Sequence, residues 1–295
     1  MNILYLTLKP DTYSAQRIRE AAEERGHSFI ALDPHDFQIE VSGAEGSAFH
    51  KGEQFEDVEV VLPRFGPAVG EHGLAVIRHF ENREILTVNA SRPLELARDK
   101  LLCYQHLSGA GLPVPRSLLV RTSEEFRKLR HLLPTDRYVL KLPVGAYGIG
   151  VMLAESTDAA ESIIDTMWGL KNTVLVQEYL EAAVKQDKRL LVIGDEVVAA
   201  MLRKAPDGSF RTNIRQGGSA HPYEPTPAEK QLALRAAMAI GLDIAGVDFI
   251  DTDRGLVITE VNASPGLEGV ESATGLNIAG RIIDHVEARL NEKDR

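Results

Sequence analysis

Hydrophobic and polar positions follow one another along this chain in a way that predicts alternating strands and helices. NILYLTL at the start predicts a buried strand, and SAQRIREAAEERGH predicts a helix with one apolar face. VEVVL at 58–62 predicts a second strand, and another helix is expected around 73–82. This alternation predicts a small parallel α/β unit over about the first 95 residues.

After Leu96 the pattern changes to a mixture of helices and hairpins. ARDKLLCYQHLSGAG predicts one helix stopped by glycines, and strands at 137–143 and 151–154 enclose the glycine loop GAYGIG. RLLVIGDEVVAAML predicts a hairpin that turns at Gly194–Asp195, and a last helix begins near Asn277. We therefore predict an α+β fold for this second part.

Three polar residues stand where helices are expected to begin. Ser14, Ser123 and Thr226 each precede an apolar helical pattern and can cap the first turn. After Thr226 come Pro227 at the first helical position and Glu229 at the third, which together predict a capping box.

Composition is that of a globular protein without a membrane span. The 295 residues suffice for two domains, 44% are hydrophobic, and no run approaches 18 apolar residues. The first residues lack a basic leader, so we expect no signal peptide and a cytoplasmic protein. Cys103 is the only cysteine, lies in an apolar helical pattern, and is expected to be buried.

Charge is distributed unevenly over an acidic chain. A net charge of −10 argues against direct nucleic-acid binding. Four cations nevertheless fall between Arg203 and Arg215, against the single anion Asp207. This cluster indicates either a site for concentrated negative charge, such as phosphates, or an ordinary solvated loop.

Oxygen-bearing side chains interrupt the apolar hairpin GVDFIDTDRGLVITEVNASPG. If the hairpin turns near Arg254, Asp248 lies opposite Glu260, and Asn262 shares the face of Glu260. Two opposed carboxylates repel each other unless a cation lies between them, and with an amide oxygen they form a ligand set that suits Mg²⁺. The alternative is a hairpin whose polar face meets water.

Two further clusters could contact a nucleotide. Lys141 precedes a loop in which Gly145, Gly148 and Gly150 would let backbone N–H groups close on an anion. VLVQEYL predicts a strand that ends on Glu178 and Tyr179, where a carboxylate could accept hydrogen bonds from adenine or ribose. A plain glycine turn and surface charges beside a strand are the respective alternatives.

Taken in order, these motifs resemble the RimK-type ATP-grasp ligases. The resemblance rests on KLPVGAYGIGV, VQEYL, DKRLLVIGDEVVAAMLRKA, FRTNIRQGG, AGVDFI and EVNASPGLEGVE, and covers nearly the whole chain. It implies a Rossmann-like pre-ATP-grasp domain at 1–96 and an ATP-grasp domain at 97–291. The second would include a lid at about 112–177, the glycine loop at 145–150, and a metal hairpin at 246–263. Ala146-Tyr147 depart from the usual Thr-Gln of that loop.

The resemblance also implies roles for individual residues. Lys141 would contact the nucleotide phosphates, Glu178 and Tyr179 would hold adenine, and Asp187 would lie near the ribose. Further implied roles are nucleotide contact for Arg211, Thr212 and Asn213, catalysis for Arg203 and Arg211, and binding of two Mg²⁺ or Mn²⁺ ions for Asp248, Glu260 and Asn262.

The activity implied is an ATP-dependent carboxylate–amine ligase. It would add L-glutamate to the C-terminal tail of a ribosomal small-subunit protein through an acyl phosphate, with or without extension to poly-α-glutamate. We also expect a homo-oligomer. Two alternatives stay open: a ligase that joins an amino acid to a small molecule or carrier protein, and a non-catalytic nucleotide-binding regulator.

Overall fold

The first third of the chain forms two small sheets and three helices. The computed structural model describes residues 1–42, 46–145, 150–181, 186–206 and 218–293. The elements in order are β1 (Asn2–Leu6), α1 (Tyr13–Glu23), β2 (Ser28–Leu32), β3 (Phe37–Ile39), β4 (Ala48–His50), β5 (Glu53–Gln54), β6 (Val60–Pro63), α2 (Gly70–Asn82), β7 (Leu86–Thr87) and α3 (Ser91–Arg98).

Two larger antiparallel sheets and the remaining helices follow. They comprise α4 (Lys100–Gly109), β8 (Ser117–Val120), α5 (Ser123–Leu129), β9 (Tyr138–Lys141), β10 (Val151–Ala154), α6 (Thr157–Gly169), β11 (Val174–Glu178), β12 (Gln186–Ile193), β13 (Glu196–Lys204), β14 (Ser219–Pro222), α7 (Pro227–Ile240), β15 (Ile244–Thr252), β16 (Gly255–Asn262), α8 (Glu268–Thr274) and α9 (Ile278–Lys293). Short 3₁₀ turns lie at Pro34–Asp36, Pro67–Val69 and Arg130–Leu132.

The N-terminal sheet is parallel, as the strand–helix alternation predicts. Its order is β2-β1-β6-β7, and every neighbouring pair is parallel. An additional antiparallel sheet, β3-β4-β5, was not predicted, because its strands are two or three residues long and show no usable alternation.

The second part is α+β, which confirms that prediction. A four-stranded sheet of order β10-β9-β11-β8 carries α5 and α6, and a five-stranded sheet has the order β14-β13-β12-β15-β16. The hairpin of β12 and β13 turns at Gly194–Asp195, as predicted, with Gly194 at φ +60°. The domain bounds 1–96 and 97–291 and the lid at about 112–177 stay predictions.

Helix starts differ from expectation at three places. Thr12, and not Ser14, caps α1 by accepting a bond from the Ala15 N–H, while the Ser14 hydroxyl accepts from the Leu267 N–H. Thr122 takes the capping role expected of Ser123 in α5. The single helix expected from ARDKLLCYQHLSGAG is two, because Asp99 is extended and caps α4.

The start of α7 is as predicted. The Thr226 hydroxyl accepts from the Glu229 N–H, the Glu229 carboxylate accepts from the Thr226 N–H, and Pro227 is the first helical residue. The two reciprocal bonds satisfy backbone donors that a helix cannot satisfy internally.

The five-stranded sheet has an apolar core on each face. One core packs α4 and α7 against Leu190, Val247 and Phe249. The other joins α9 and the N-terminal strands to Leu191 and Met201. Because the second core includes residues from both halves of the chain, it holds the N-terminal sheet against the five-stranded sheet.

A buried amide reinforces this junction. Asn89, 1% exposed, donates to the Ile244 and Ala263 carbonyls at 2.8 and 2.9 Å and accepts from the Ile244 N–H at 2.8 Å. Since a buried amide without partners is costly, these three bonds specify how the segment after β7 meets β15 and the end of β16.

Within the described part of the chain, no helix has the length and apolar character needed to cross a bilayer.

Cys103 should be chemically inert in the folded protein. It is 4% exposed, and burial, with smaller contributions from Glu260 and Asp99, raises the pKa of its thiol to about 12. We expect no reaction with a thiol reagent such as DTNB at pH 8 in the native protein and one equivalent of reaction in denaturant. Rapid stoichiometric labelling of the native protein would contradict this packing.

Candidate active site

Strand register aligns a row of charged residues across one face of the five-stranded sheet. Arg203 on β13 lies directly opposite Asp187 on β12, Arg189 on β12 opposite Asp248 on β15, and Asp248 opposite Glu260 on β16. We call these five residues the charge row. The opposition of Asp248 and Glu260 confirms the register predicted for the hairpin.

Two β-bulges set this alignment. β12 and β13 shift register between Leu191 and Val192, and β15 and β16 shift between Asp248 and Phe249. Counted from the turns without these bulges, Asp187 would face Leu202, and Asp248 would face Thr259. A bulge re-aims the side chains beyond it. The first irregularity therefore brings the opposite charges of Asp187 and Arg203 together, and the second brings the carboxylates of Asp248 and Glu260 together.

Four members of the row form a closely bonded network. The Arg203 Nε and Nη2 atoms donate to the Asp187 carboxylate at 2.7 and 2.6 Å, and Nη2 also reaches Asp248 Oδ2 at 2.7 Å. Arg189 binds both oxygens of Asp248 at 2.6 Å. Bidentate pairs of this kind have the fork geometry that guanidinium and carboxylate groups favour.

Burial makes this network electrostatically strong. Asp248 is 1% exposed and Arg203 7%. Burial alone would raise the pKa of Asp248, but Arg189 and Arg203 hold it below its ordinary value. Burial would likewise lower the pKa of Arg203, but Asp248 and Asp187 raise it. Asp248 and Arg203 therefore keep their charges at neutral pH. Two guanidinium groups and two carboxylates give the network no formal net charge.

Glu260 differs from the other carboxylates of the row. It is exposed to the cavity described below, and no cation of the described residues lies within 4.0 Å of its oxygens. With its amide oriented to satisfy both atoms, Asn262 donates to Glu260 Oε1 at 3.3 Å and accepts from Arg189 Nη2 at 2.8 Å. Glu260 is thus the carboxylate of the row whose charge is not compensated.

The oxygens of Asp248, Glu260 and Asn262 fit a hard divalent cation. Two carboxylate oxygens offer about four lone-pair positions. The bonds to Asp248 occupy three of them and leave one on Oδ1, whereas Glu260 keeps most of its own. Carboxylate and amide oxygens are the ligands that Mg²⁺ takes, and the uncompensated charge of Glu260 makes that residue the main attraction for a cation.

One large cavity brings the predicted residues together. It measures about 1320 Å³ and lies between the N-terminal sheet, the sheet of order β10-β9-β11-β8 and the charge row. Every predicted site residue that the structure describes lines it: Lys141, Glu178, Tyr179, Asp187, Arg203, Asp248, Glu260 and Asn262. Arg211, Thr212, Asn213 and the loop residues Ala146-Tyr147 lie outside the described residues.

A second pair of cations faces the row across the cavity. Lys141 donates to the Tyr104 hydroxyl at 3.2 Å, and Lys100 donates to the Gly145 carbonyl at 2.9 Å. Burial lowers the pKa of Lys100, while Glu260 counteracts this. The sequence did not single out Lys100 and Tyr104 as site residues, although both lie in ARDKLLCYQHLSGAG. Their approach to Lys141 depends on tertiary packing, which no local pattern shows.

One oxygen of the Glu178 carboxylate is already engaged. The side chain is 2% exposed, and Oε1 accepts from Arg254 Nη2 at 2.6 Å and from the Arg116 N–H at 2.9 Å. Arg137 lies over the Tyr179 ring at 4.1 Å. In the next residue, the backbone N–H of Leu180 has no hydrogen-bond partner among the described residues. The groups at this end of the cavity therefore include a backbone donor as well as the second oxygen of Glu178.

Removing the charge of Asp248 should destabilise the fold. Asp248→Asn leaves the half-buried Arg189 without its counter-ion, and the cost should approach the range of about 3–5 kcal/mol for breaking a buried pair. Asp253→Asn, at the exposed tip of the same hairpin, is the matched control and should be nearly neutral. Urea unfolding measures both free energies, and equal values for the two variants would contradict the buried network.

The same network predicts the sign of the acid response. Because the folded-state pKa of Asp248 is lowered, the unfolded chain binds more protons, and the stabilisation is complete above about pH 4. It declines as the pH falls through the folded-state pKa. The difference in unfolding free energy between wild type and Asp248→Asn should therefore shrink below about pH 4. A difference that grows on acidification would contradict the assignment.

Comparison with known proteins identifies the family. The model described as RimK PreATP-grasp domain matches residues 1–94, and the model described as RimK-like ATP-grasp domain matches residues 97–286. Together they cover almost the whole chain.

Similar proteins agree over the full length. The chain is 43% identical over 287 residues to a probable alpha-L-glutamate ligase of Citrobacter koseri, covering 97% of this chain and 96% of the relative. It is 42% identical to a ribosomal protein bS6–L-glutamate ligase of Shigella boydii, with the same coverage. The fold resembles that of the ATP-grasp ligase PsnB solved with a minimal precursor, Mg and ADP, with TM-score 0.73, 23% identity and 98% coverage of each chain. With its charged cavity and these matches, the chain belongs to the RimK-like ATP-grasp ligases.

Proposed function

We propose that this ligase uses ATP to add L-glutamate to the C-terminus of ribosomal protein bS6. The proposal rests on one cavity that gathers Lys141, Arg203, Asp248 and Glu260. The relative from Shigella boydii that carries this activity in its name supports the choice of substrates. A homo-oligomer, a cytoplasmic location and the absence of nucleic-acid binding stay predictions.

The reaction proceeds in two displacements. An oxygen of the acceptor carboxylate forms a bond to the γ-phosphorus of ATP, the bridging β–γ bond breaks, and ADP leaves with that electron pair. The uncharged amine of glutamate then forms a bond to the acyl carbon, phosphate leaves, and the nitrogen gives up a proton. Both steps concentrate negative charge on oxygen, so compensation of charge lowers the barriers.

The described residues supply that compensation on two sides. Lys141 and Lys100 place ammonium groups on one side of the cavity, and Arg203 keeps both N–H groups of Nη1 without a partner among the described residues. Asp187 and Asp248 hold the Arg203 guanidinium in place, so its donors need no reorganisation during the reaction. Asp248, Glu260 and Asn262 would hold Mg²⁺ or Mn²⁺, which when bound neutralises phosphate charge.

The nucleotide base is proposed to lie at the end of β11. Because Oε1 of Glu178 is already paired with Arg254, adenine would be held by Oε2 and by backbone groups of the segment from Glu178 to Leu180. The Arg137–Tyr179 stack lies at the same end of the cavity and would support this segment. Contacts from Arg211, Thr212 and Asn213 remain predicted on sequence resemblance.

Glu260 is the residue whose loss should be most damaging to turnover. Glu260→Ala removes the uncompensated carboxylate of the row, so we expect ADP release to fall at least about 100-fold, because several kcal/mol of charge stabilisation are lost. Since Glu260 is exposed and forms no ion pair with any residue that the structure describes, folding should be preserved, and the melting temperature checks this. Asp253→Asn is the matched control, and near-normal ligation by Glu260→Ala would reject its role.

The substrates are tested by mass spectrometry of the product. Purified bS6 incubated with the enzyme, ATP, Mg²⁺ and L-glutamate should gain whole glutamyl residues at its C-terminus, and the number added shows whether poly-glutamate forms. ADP release that depends on glutamate without any change in bS6 would favour a small-molecule or carrier acceptor. Nucleotide binding without ADP release under any of these conditions would favour a regulator.

A further inference from the structure

A crevice on the N-terminal side of the cavity lies where the parallel sheet reverses its winding direction. From β1 the chain moves to β2 on one side and later returns to β6 on the other, in the order β2-β1-β6-β7. The carboxyl ends of β1 and β6 therefore separate at this point, and open α/β sheets bind ligands in such crevices. Thr7 and Lys9 follow β1 there, Arg64 follows β6, and all three line the cavity.

Arg64 is a buried cation with neutral partners. It is 7% exposed, Nη2 donates to the Pro265 carbonyl, and the Tyr5 hydroxyl lies beside the guanidinium. Nη1 is buried and has no hydrogen-bond partner within the described part of the chain. No carboxylate of the described residues lies within 4.0 Å, in contrast to Arg189 and Arg203 of the charge row.

A second unpartnered polar atom lies on the neighbouring turn. The Ser264 hydroxyl oxygen is buried, and no described residue forms a hydrogen bond with it. It belongs to the turn whose Pro265 carbonyl accepts from Arg64. Lys9, which is exposed, adds positive charge among the residues that line this cavity, and Glu268 is an exposed carboxylate that lines it in addition to Glu260. The crevice therefore offers a guanidinium, a hydroxyl and an ammonium group to one ligand.

The energetics favour an anion at this point. A guanidinium stays protonated in proteins even though burial lowers the pKa of Arg64. A buried charge satisfied only by neutral groups is costly, and a buried donor left unpaired adds to that cost. A carboxylate bound to Arg64 would compensate the buried charge and would also accept a hydrogen bond from the unpaired donor. The site should therefore prefer a negatively charged group to a neutral one.

We propose that the crevice formed by Arg64, Ser264 and Lys9 is a subsite for a carboxylate group of a substrate. This rests on the proposed function, because both the amino acid and the acidic acceptor tail carry carboxylates that do not react. The subsite lies in the same cavity as Glu260 and Arg203. A substrate held there by one carboxylate would therefore have its other end directed towards the charge row.

Kinetics with two substrates separate the sources of that carboxylate. Arg64→Gln should raise the KM for its ligand at least about tenfold, since a hydrogen bond to a charged group is worth more than one decade of binding. An increase confined to L-glutamate assigns the subsite to the amino acid, and one confined to a C-terminal bS6 peptide assigns it to the acceptor. An unchanged KM for both overturns the proposal.

Companion variants protect the test against misfolding. Lys9→Gln changes an exposed residue and should raise the same KM by a smaller factor, and Arg64→Lys, which keeps the charge, should recover part of the loss. Lys51→Gln, an exposed cation outside the cavity, is the matched control and should change neither KM. If Arg64→Gln strongly lowers the melting temperature, the KM values of Lys9→Gln become the test of the subsite. Unchanged KM values in Lys9→Gln would then count against the subsite.

Direct binding distinguishes this subsite from the proposed reaction. Glutarate, a dicarboxylate without an amine, should show saturation-transfer NMR signals with the wild-type protein that Arg64→Gln greatly weakens. That result supports the subsite even if the wild-type protein fails to modify bS6; such a failure would contradict only the proposed function.

Equal signals in both proteins, or no signal with the wild-type protein, would overturn the subsite. The transfer of glutamate to bS6 would still be tested separately by mass spectrometry.

Discussion

The paired charges on the five-stranded sheet are the constraint on which the rest of the site depends. Asp187, Arg203, Asp248 and Arg189 neutralise one another in a buried network, so the sheet tolerates four charges where apolar residues would otherwise pack. Because the network is neutral, Glu260 at its edge keeps an uncompensated charge that faces the cavity. The same bonds hold Arg203 rigidly enough to serve as a preorganised donor.

Packing between the two halves of the chain makes this face of the five-stranded sheet one wall of the cavity. The core around α9 and the Asn89 amide hold the N-terminal sheet so that the carboxyl ends of β1 and β6 open into the cavity. Lys141, on the four-stranded sheet, faces the charge row from another side. Each of three sheets thus contributes different groups to the cavity. The sheet of β9 contributes the ammonium group of Lys141, the five-stranded sheet contributes the charge row, and the N-terminal sheet contributes the crevice at Arg64.

Much of this arrangement could be predicted from local sequence, and the rest depends on long-range register. The approximate opposition of Asp248 and Glu260 could be predicted from the hairpin, although a bulge sets the observed register, and the capping box of Thr226 followed from adjacent residues. The pairing of Arg189 with Asp248 joins residues 59 positions apart, which no local pattern encodes. The bulge that brings Arg203 opposite Asp187 is equally invisible in the sequence. The setting of Arg64 is not encoded locally, because its burial and the lack of a counter-ion among the described residues are tertiary properties.

A crystal structure with Mn²⁺ and a non-hydrolysable ATP analogue tests the central claim most directly, because the anomalous signal of manganese locates the ion independently of the refined coordinates. We expect an ion coordinated by the Glu260 carboxylate at about 2.1 Å, beside the nucleotide phosphates, with Arg189 and Arg203 still bonded to Asp248. An anomalous peak elsewhere, with Glu260 turned to bulk solvent, would contradict it.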